Sequence, residues 1–224
     1  MSKSVYLFLI ILFSPVLAYT QAAAPLQLGT PEAPTVAPVT LPLVSAAQQL
    51  KGRALVDALR GGGYVLYMRH ALQKPPRTTG CELINLTPVG EEQARKVGAA
   101  IRDLKIPVGV IRSSEPCRNL DTARLLGLGA FQVTEALNPA GSREGFDEHA
   151  ARYKQLIEVP PSGTNMLLVA HVHGSPNKSD WMQLEIAEII VYRPDGKGTT
   201  TPIARVRIEE WADLLRGAAE TSGK

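Results

Sequence analysis

Hydrophobic and polar positions change their period several times along the chain, and each change marks an element. Ser45 to Arg60 carries Leu50, Leu55 and Leu59 as the apolar contacts of a helix and runs into Gly61-Gly62-Gly63, which stops it. Tyr64 to Met68 is apolar and β-prone, Val108 to Ile111 repeats that character more briefly, and Met166 to Ala170 is unbroken apolar, as in a strand covered on both faces. Between the first two strands, Ala94, Val97, Ile101 and Leu104 mark one face of a helix with Thr87 as N-cap, Pro88 at its first position and Pro107 as its stop. Ser113 or Ser114 reads as the cap of a third helix running to Leu126, with Pro116 in its first turn, and Phe146 to Ile157 reads as a fourth. Glu188 to Tyr192, a turn at 194–198 and Ile203 to Ile208 form a closing hairpin, followed by a short helix from Glu209 to Leu215. Strands separated by helices call for an α/β fold of three layers, a mainly parallel sheet with helices on both faces.

The strands deliver chemistry where they stop. Tyr64-Val-Leu-Tyr-Met ends in Arg69-His70-Ala71, and Met166-Leu-Leu-Val-Ala170 ends in His171. Arg118 falls in the first turn of the helix after the second strand. Ligands of open α/β sheets bind at the edge where strands end, so these side chains are expected to converge there. A guanidinium at a helix N-terminus adds to free N–H groups and the helix dipole, which makes 113–118 a candidate cradle for an anion such as phosphate.

The ends of the chain and its composition narrow the setting. Lys3 is followed by uncharged Val5 to Leu17 and a small-residue site ending at Ala18, so residues 1–18 read as a secretory signal, shorter than the about 20 apolar residues of a membrane span. An uncleaved signal-anchor is the alternative. Residues 19–44 are rich in Ala, Pro and Thr without a helical or strand period and read as a tether, leaving 45–224 as one domain. The formal net charge of +3 is small and no block of like charge occurs, which gives nucleic-acid binding no support. The expected compartment is the periplasm or the exterior. There, Cys81 and Cys117, the two cysteines of the chain, are expected to form a disulfide.

Taken in order, Arg69-His70-Ala71, Leu86-Thr87-Pro-Val-Gly90 with Gln93-Ala94, Ser113-Ser114-Glu-Pro-Cys-Arg118 with Thr122-Ala123, and Leu168-Val-Ala-His171 resemble the histidine phosphatase superfamily, which includes phosphoglycerate mutases, acid phosphatases and phosphohistidine phosphatases. The resemblance spans about Leu55 to Ile208. It implies a phosphoglycerate mutase-like fold and a phosphatase acting on a phosphomonoester or phosphoramidate. His70 would be the nucleophile, passing through phosphohistidine, and Arg69, Arg118 and a protonated His171 would form the phosphate pocket, with no metal or other cofactor. The chemistry agrees: a neutral imidazole splits one hard hydrolysis into two displacements, and fixed guanidiniums meet the charge on the equatorial oxygens. Ala71 and Val172, where the larger acid phosphatase branch carries Gly and Asp, point to the simpler branch of small exported members. Some of those act on phosphorylated envelope sugars, so a small phosphorylated substrate is expected.

Two departures stand out. Ile84-Asn85 precede Leu86 where many members carry an Arg, leaving Lys74 or Arg77 to supply that charge. The position expected for the leaving-group acid is not acidic, leaving Glu135 and Glu144 as candidates. Without such an acid, the favoured substrates are those with a good leaving group, such as phosphohistidine or an acyl phosphate. Two other readings stand beside this one. A non-catalytic phosphate-binding envelope module would keep the pocket without turnover. A metal-dependent hydrolase would use His171 and His173, with Asp180 or His149 completing the shell.

Overall fold

A computed structural model describes residues 49–75, 85–139, 146–159, 161–171 and 184–220, with side chains of the third stretch described from residue 151 onward. The helices are α1 (Gly52–Gly61), α2 (Pro88–Asp103), α3 (Cys117–Leu126), α4 (Phe146–Ile157) and α5 (Glu210–Ala219). The strands are β1 (Val65–Arg69), β2 (Val108–Ser113), β3 (Gln132–Val133), β4 (Asn165–Ala170), β5 (Ile189–Pro194) and β6 (Thr200–Val206), and a 3₁₀ turn spans Glu135–Leu137. They form one sheet in the order β3-β2-β4-β1-β5-β6. The pairings from β3 to β1 are parallel, and β5 and β6 add an antiparallel edge. This is the three-layer, mainly parallel α/β architecture expected from the element pattern.

The strand period of two divides the core between the layers. Leu66 and Met68 of β1, Leu167 and Val169 of β4, and Ile189 and Val191 of β5 face the side covered by α1, α2, α3 and α5. Val65 and Tyr67, Leu168 and Ala170, and Ile190 and Tyr192 face the opposite side, where Tyr153 and Ile157 of α4 and Leu137 of the 3₁₀ turn close over them. At the edge where β1 begins, buried Asn165 donates to the carbonyls of Leu59 and Pro107 and accepts from the Tyr64 N–H, joining α1, β2 and β1.

Several boundaries differ from the sequence reading. Residues 45–48 lie outside the described residues, and Leu50 is not helical: its N–H donates to Ile203 O of β6, so α1 begins only at Gly52. β2 runs on to Ser113, and Pro116 takes the N-cap of α3 with no side-chain cap, so neither Ser113 nor Ser114 caps that helix. β3 and the 3₁₀ turn are additional. α5 extends to Ala219. Among the described residues no helix is long and apolar enough to cross a membrane, and residues 1–18, on which the export reading rests, lie outside them.

Helices α2 and α3 cross so closely that a Cβ at Gly98 would lie 1.8 Å from Leu126 O. Arg102 of α2 then donates to that carbonyl at 2.7 Å, a cation on the C-terminal end of α3. Gly98→Ala is expected to force the helices apart and lower stability by about 1–3 kcal/mol, read as a shift in urea midpoint at constant slope. An unchanged midpoint would mean that the crossing relaxes without cost.

Candidate functional site

Register brings the two histidines together. β1 and β4 run parallel with Arg69 opposite Ala170, so the next residues, His70 and His171, emerge side by side from neighbouring strand ends. Their rings lie 5.4 Å apart, edge to face, and the residues are 5 % and 6 % exposed. Ser113 of β2 pairs with Val169 of β4, which sets Ser114 against His171 and starts α3 beside both rings. Arg118, in the first turn of α3, bridges them: Nε donates to His70 Nε2 at 3.3 Å and an Nη donates to His171 Nδ1 at 3.2 Å. Among the described residues no carboxylate pairs with Arg118.

The segment after His70 is built to fix one ring nitrogen. His70 Nδ1 lies 2.8 Å from the Ala71 carbonyl, an acceptor only, so Nδ1 carries the hydrogen and Nε2 presents its lone pair. The Ala71 N–H donates to Thr122 Oγ1 of α3, and the Leu72 N–H donates to Gln93 Oε1 of α2. Thr87 caps α2 by accepting from the Gly90 N–H, while its own N–H and hydroxyl both reach Leu72 O. A Cβ at Gly90 would sit 2.1 Å from that same oxygen, so only glycine lets α2 approach. Thr87, Gly90, Gln93 and Thr122 thus hold the backbone whose carbonyl orients the imidazole.

His171 is held at both nitrogens. Its Nε2 lies 3.0 Å from Ser114 Oγ, which is also 2.9 Å from Asn138 Oδ1. Arg118 can only donate, so Nδ1 meets the guanidinium as an acceptor. Asn119 of α3 donates to the Ala170 carbonyl and pins the strand end beneath the ring. Arg69, whose charge is felt at His70, donates to Leu184 O at 2.7 Å, and its buried Nε has no partner among the described residues.

Burial and charge act in the same direction on His70. Desolvation first, then the positive charges of Arg118 and Arg69, lower its pKa from 6.5 to about 4, against the opposing pull of the Ala71 carbonyl. Desolvation also lowers the pKa of Arg118, and that of Arg69, where Glu188 opposes it. The unfolded chain therefore takes up the His70 proton near pH 6.5 and the folded chain only near pH 4. The corresponding stability is complete above pH 6.5 and is lost as the pH falls towards 4, a drop of order 3 kcal/mol. Urea unfolding of the wild type and of His70→Gln across that range should show the steeper fall in the wild type. Parallel curves would mean that the imidazole is not desolvated.

Other sequence candidates fall elsewhere. Glu135 sits exposed on the 3₁₀ turn, and among the described residues nothing ties its carboxylate to either histidine. Lys74 is exposed in the connection that follows β1, where its N–H donates to Asn85 O. Glu144, Arg77, His173 and Asp180 lie outside the described residues, as does the side chain of His149. Cys117, the first residue of α3, is disulfide-bonded, and Cys81 lies outside the described residues. A separate cavity of about 340 Å³ lies beside β6 and α5, but its buried Glu188 is gripped by Arg205 at 2.6 and 2.7 Å. Local sequence rules do not reach Ser114 and Asn138 as partners of His171: a serine before a helix reads as a cap, and Asn138 lies 24 residues further along.

No protein-family model matches the chain, and no curated protein matches it in sequence. Solved structures do match it in fold. The protein histidine phosphatase SixA, solved with tungstate, superposes with a TM-score of 0.50 at 16 % identity, over 66 % of this chain and 98 % of its own. The α-ribazole phosphatase of Shigella flexneri gives 0.50 at 17 %, over 65 % and 96 %. An Escherichia coli K-12 structure named for α-ribazole-5′-P phosphatase gives 0.51 at 17 %, over 65 % and 97 %. With the sheet order and the paired strand-end histidines already in place, these superpositions give the chain the fold of the histidine phosphatases.

Proposed function

We propose that the protein is a phosphatase that works through a phosphohistidine on His70. The observation that carries this reading is the pair of nearly buried imidazoles joined by an Arg118 guanidinium that no described carboxylate neutralises. An incoming phosphoryl group draws that guanidinium onto its equatorial oxygens and frees the Nε2 lone pair. Nε2 attacks phosphorus in line, and the bond to the leaving group breaks with its electron pair going to the leaving atom. Water then attacks the phosphohistidine, the P–N bond breaks, its electron pair returns to Nε2, and inorganic phosphate leaves. Throughout, the Ala71 carbonyl keeps the ring oriented through Nδ1–H.

The substrate class follows from the leaving group. With Glu135 exposed and tied to neither ring, and Glu144 outside the described residues, the reading rests on donors whose leaving group departs without a strong acid, such as phosphohistidine or an acyl phosphate. The proposed setting is outside the cytosol; the signal-like residues 1–18 and the oxidised Cys117 support it. The metal-dependent alternative is less well supported, because a cation at His171 would have to displace either the guanidinium from Nδ1 or Ser114 from Nε2.

The test is a donor screen run in excess EDTA: labelled phosphohistidine, an acyl phosphate, a phosphorylated sugar and an aryl phosphate, each quenched in alkali. Acid-labile, alkali-stable label on the protein with fastest release from the labile donors is the expected result. Turnover restored only by zinc would replace this reading with the metal-dependent one. Tight phosphate binding with neither label nor release would make the protein a binding module.

A further inference from the structure

We infer that Asn138 is a positioning residue that sets which ring nitrogen of His171 carries the hydrogen. The inference deepens the reading of the same hollow and, for its kinetic consequence, rests on it. Four polar contacts define the arrangement. The Glu115 N–H donates to Asn138 Oδ1 at 3.0 Å, and Asn138 Nδ2 donates to Glu115 Oε2 at 2.6 Å. Ser114 Oγ lies 2.9 Å from Asn138 Oδ1 and 3.0 Å from His171 Nε2.

The direction of every hydrogen follows from which groups have no choice. A backbone N–H only donates and a carboxylate only accepts, so Glu115 fixes the amide from both ends: oxygen towards its N–H, nitrogen towards its carboxylate. The Ser114 hydroxyl has one hydrogen, and an amide oxygen can only accept it. Its lone pairs are left for His171 Nε2, which must therefore be the protonated nitrogen. The far side of the ring gives the same answer independently, since the Arg118 Nη that meets Nδ1 has no lone pair to offer. The two ends of a chain running from Glu115 to Arg118 agree on one tautomer, with the free lone pair at Nδ1, the nitrogen that Arg118 reaches.

Asn138 is itself anchored. Its carbonyl accepts from Arg152 of α4 at 3.3 Å, its N–H donates to Glu135 O, and it directly follows the 3₁₀ turn whose Leu137 is buried in the core. Without the amide, the Ser114 hydroxyl is free to turn and donate to Nε2, which works against the preference set by Arg118 and populates the opposite tautomer. That ring would present N–H to the guanidinium and oppose it.

The experiment reads the tautomer directly. The full chain labelled with ¹⁵N-histidine holds four imidazoles, which single His→Gln variants assign, and long-range ¹H–¹⁵N correlations distinguish Nδ1–H from Nε2–H rings. His171 is expected as Nε2–H and His70 as Nδ1–H in the wild type. Asn138→Ala should move His171 towards Nδ1–H and slow phosphorylation of His70 by an acyl phosphate about five- to tenfold, with His70 unchanged. The pair Asn138→Asp with Glu115→Gln reverses donor and acceptor between the two side chains while keeping an acceptor for Ser114. It should restore both the tautomer and the rate. An Nδ1–H ring at His171 in the wild type would overturn the inference, as would an Nε2–H ring that persists in folded Asn138→Ala. If the tautomer behaves as stated but no variant and no wild type ever carries label, the positioning stands and the phosphatase reading fails.

Discussion

Replacing His70 with alanine is expected to abolish both turnover and the acid-labile label, the largest effect of any single substitution in this protein. Among the histidines whose side chains are described, the only other is His171. His171, 5.4 Å away, has Nε2 committed to Ser114, and the reading assigns it to the phosphate pocket rather than to the attack. Because burial and two guanidiniums hold the His70 pKa near 4, the reactive neutral form persists well below neutrality. The acid limb of kcat/KM in the wild type should therefore fall near pH 4 rather than 6.5. Label on His70→Ala, or an acid limb at the ordinary imidazole value, would contradict the assignment of this residue.

Arg118→Ala is expected to lower kcat/KM by about 10²–10³, the cost of one charge-assisted donor at a developing phosphoryl charge. Its place makes the loss mainly one of rate. The guanidinium rides on the first turn of α3, which Thr122 and Asn119 tie to Ala71 and Ala170, so it arrives already fixed between the rings. Arg118→Lys should recover little, since a single ammonium cannot span both imidazoles and two phosphoryl oxygens at once. The measurement is steady-state kinetics with an acyl phosphate, alongside a urea midpoint to show that the fold survives. A variant with near wild-type kcat/KM would remove Arg118 from the pocket.

The parts of this arrangement that depend on local pattern could be read from the chain. An apolar run broken by Arg69-His70, a second broken by His171, and an Arg shortly after a third all announce strand ends, and the alternation with helices requires the strands to share a sheet. What the pattern cannot carry is register. That Arg69 faces Ala170 rather than a neighbour depends on how side chains of β1 and β4 interlock across 100 residues of chain, and it decides whether the imidazoles touch. Ser114 shows the same limit at shorter range. Local rules make it a helix cap, but β2 runs through Ser113, Pro116 ends the turn, and the hydroxyl is left for His171. Asn138 lies beyond local reach altogether, because nothing in Glu135-Ala-Leu137-Asn138-Pro139 tells which distant hydroxyl it meets.

The pairing of β1 with β4 also bears on which changes of length the chain can absorb. A single residue added between Ala170 and His171 would turn the imidazole to the opposite side of the sheet, since successive side chains alternate. The connections between strands carry no such parity. Insertions in a connection that leave the contacts of Ala71, Leu72, Ser114, Arg118 and Asn138 in place alter chiefly the closure entropy, which grows slowly with length. The protein is thus intolerant of indels at two strand tips, and changes of length that preserve the reaction fall only where the connections touch neither imidazole nor the groups that hold it.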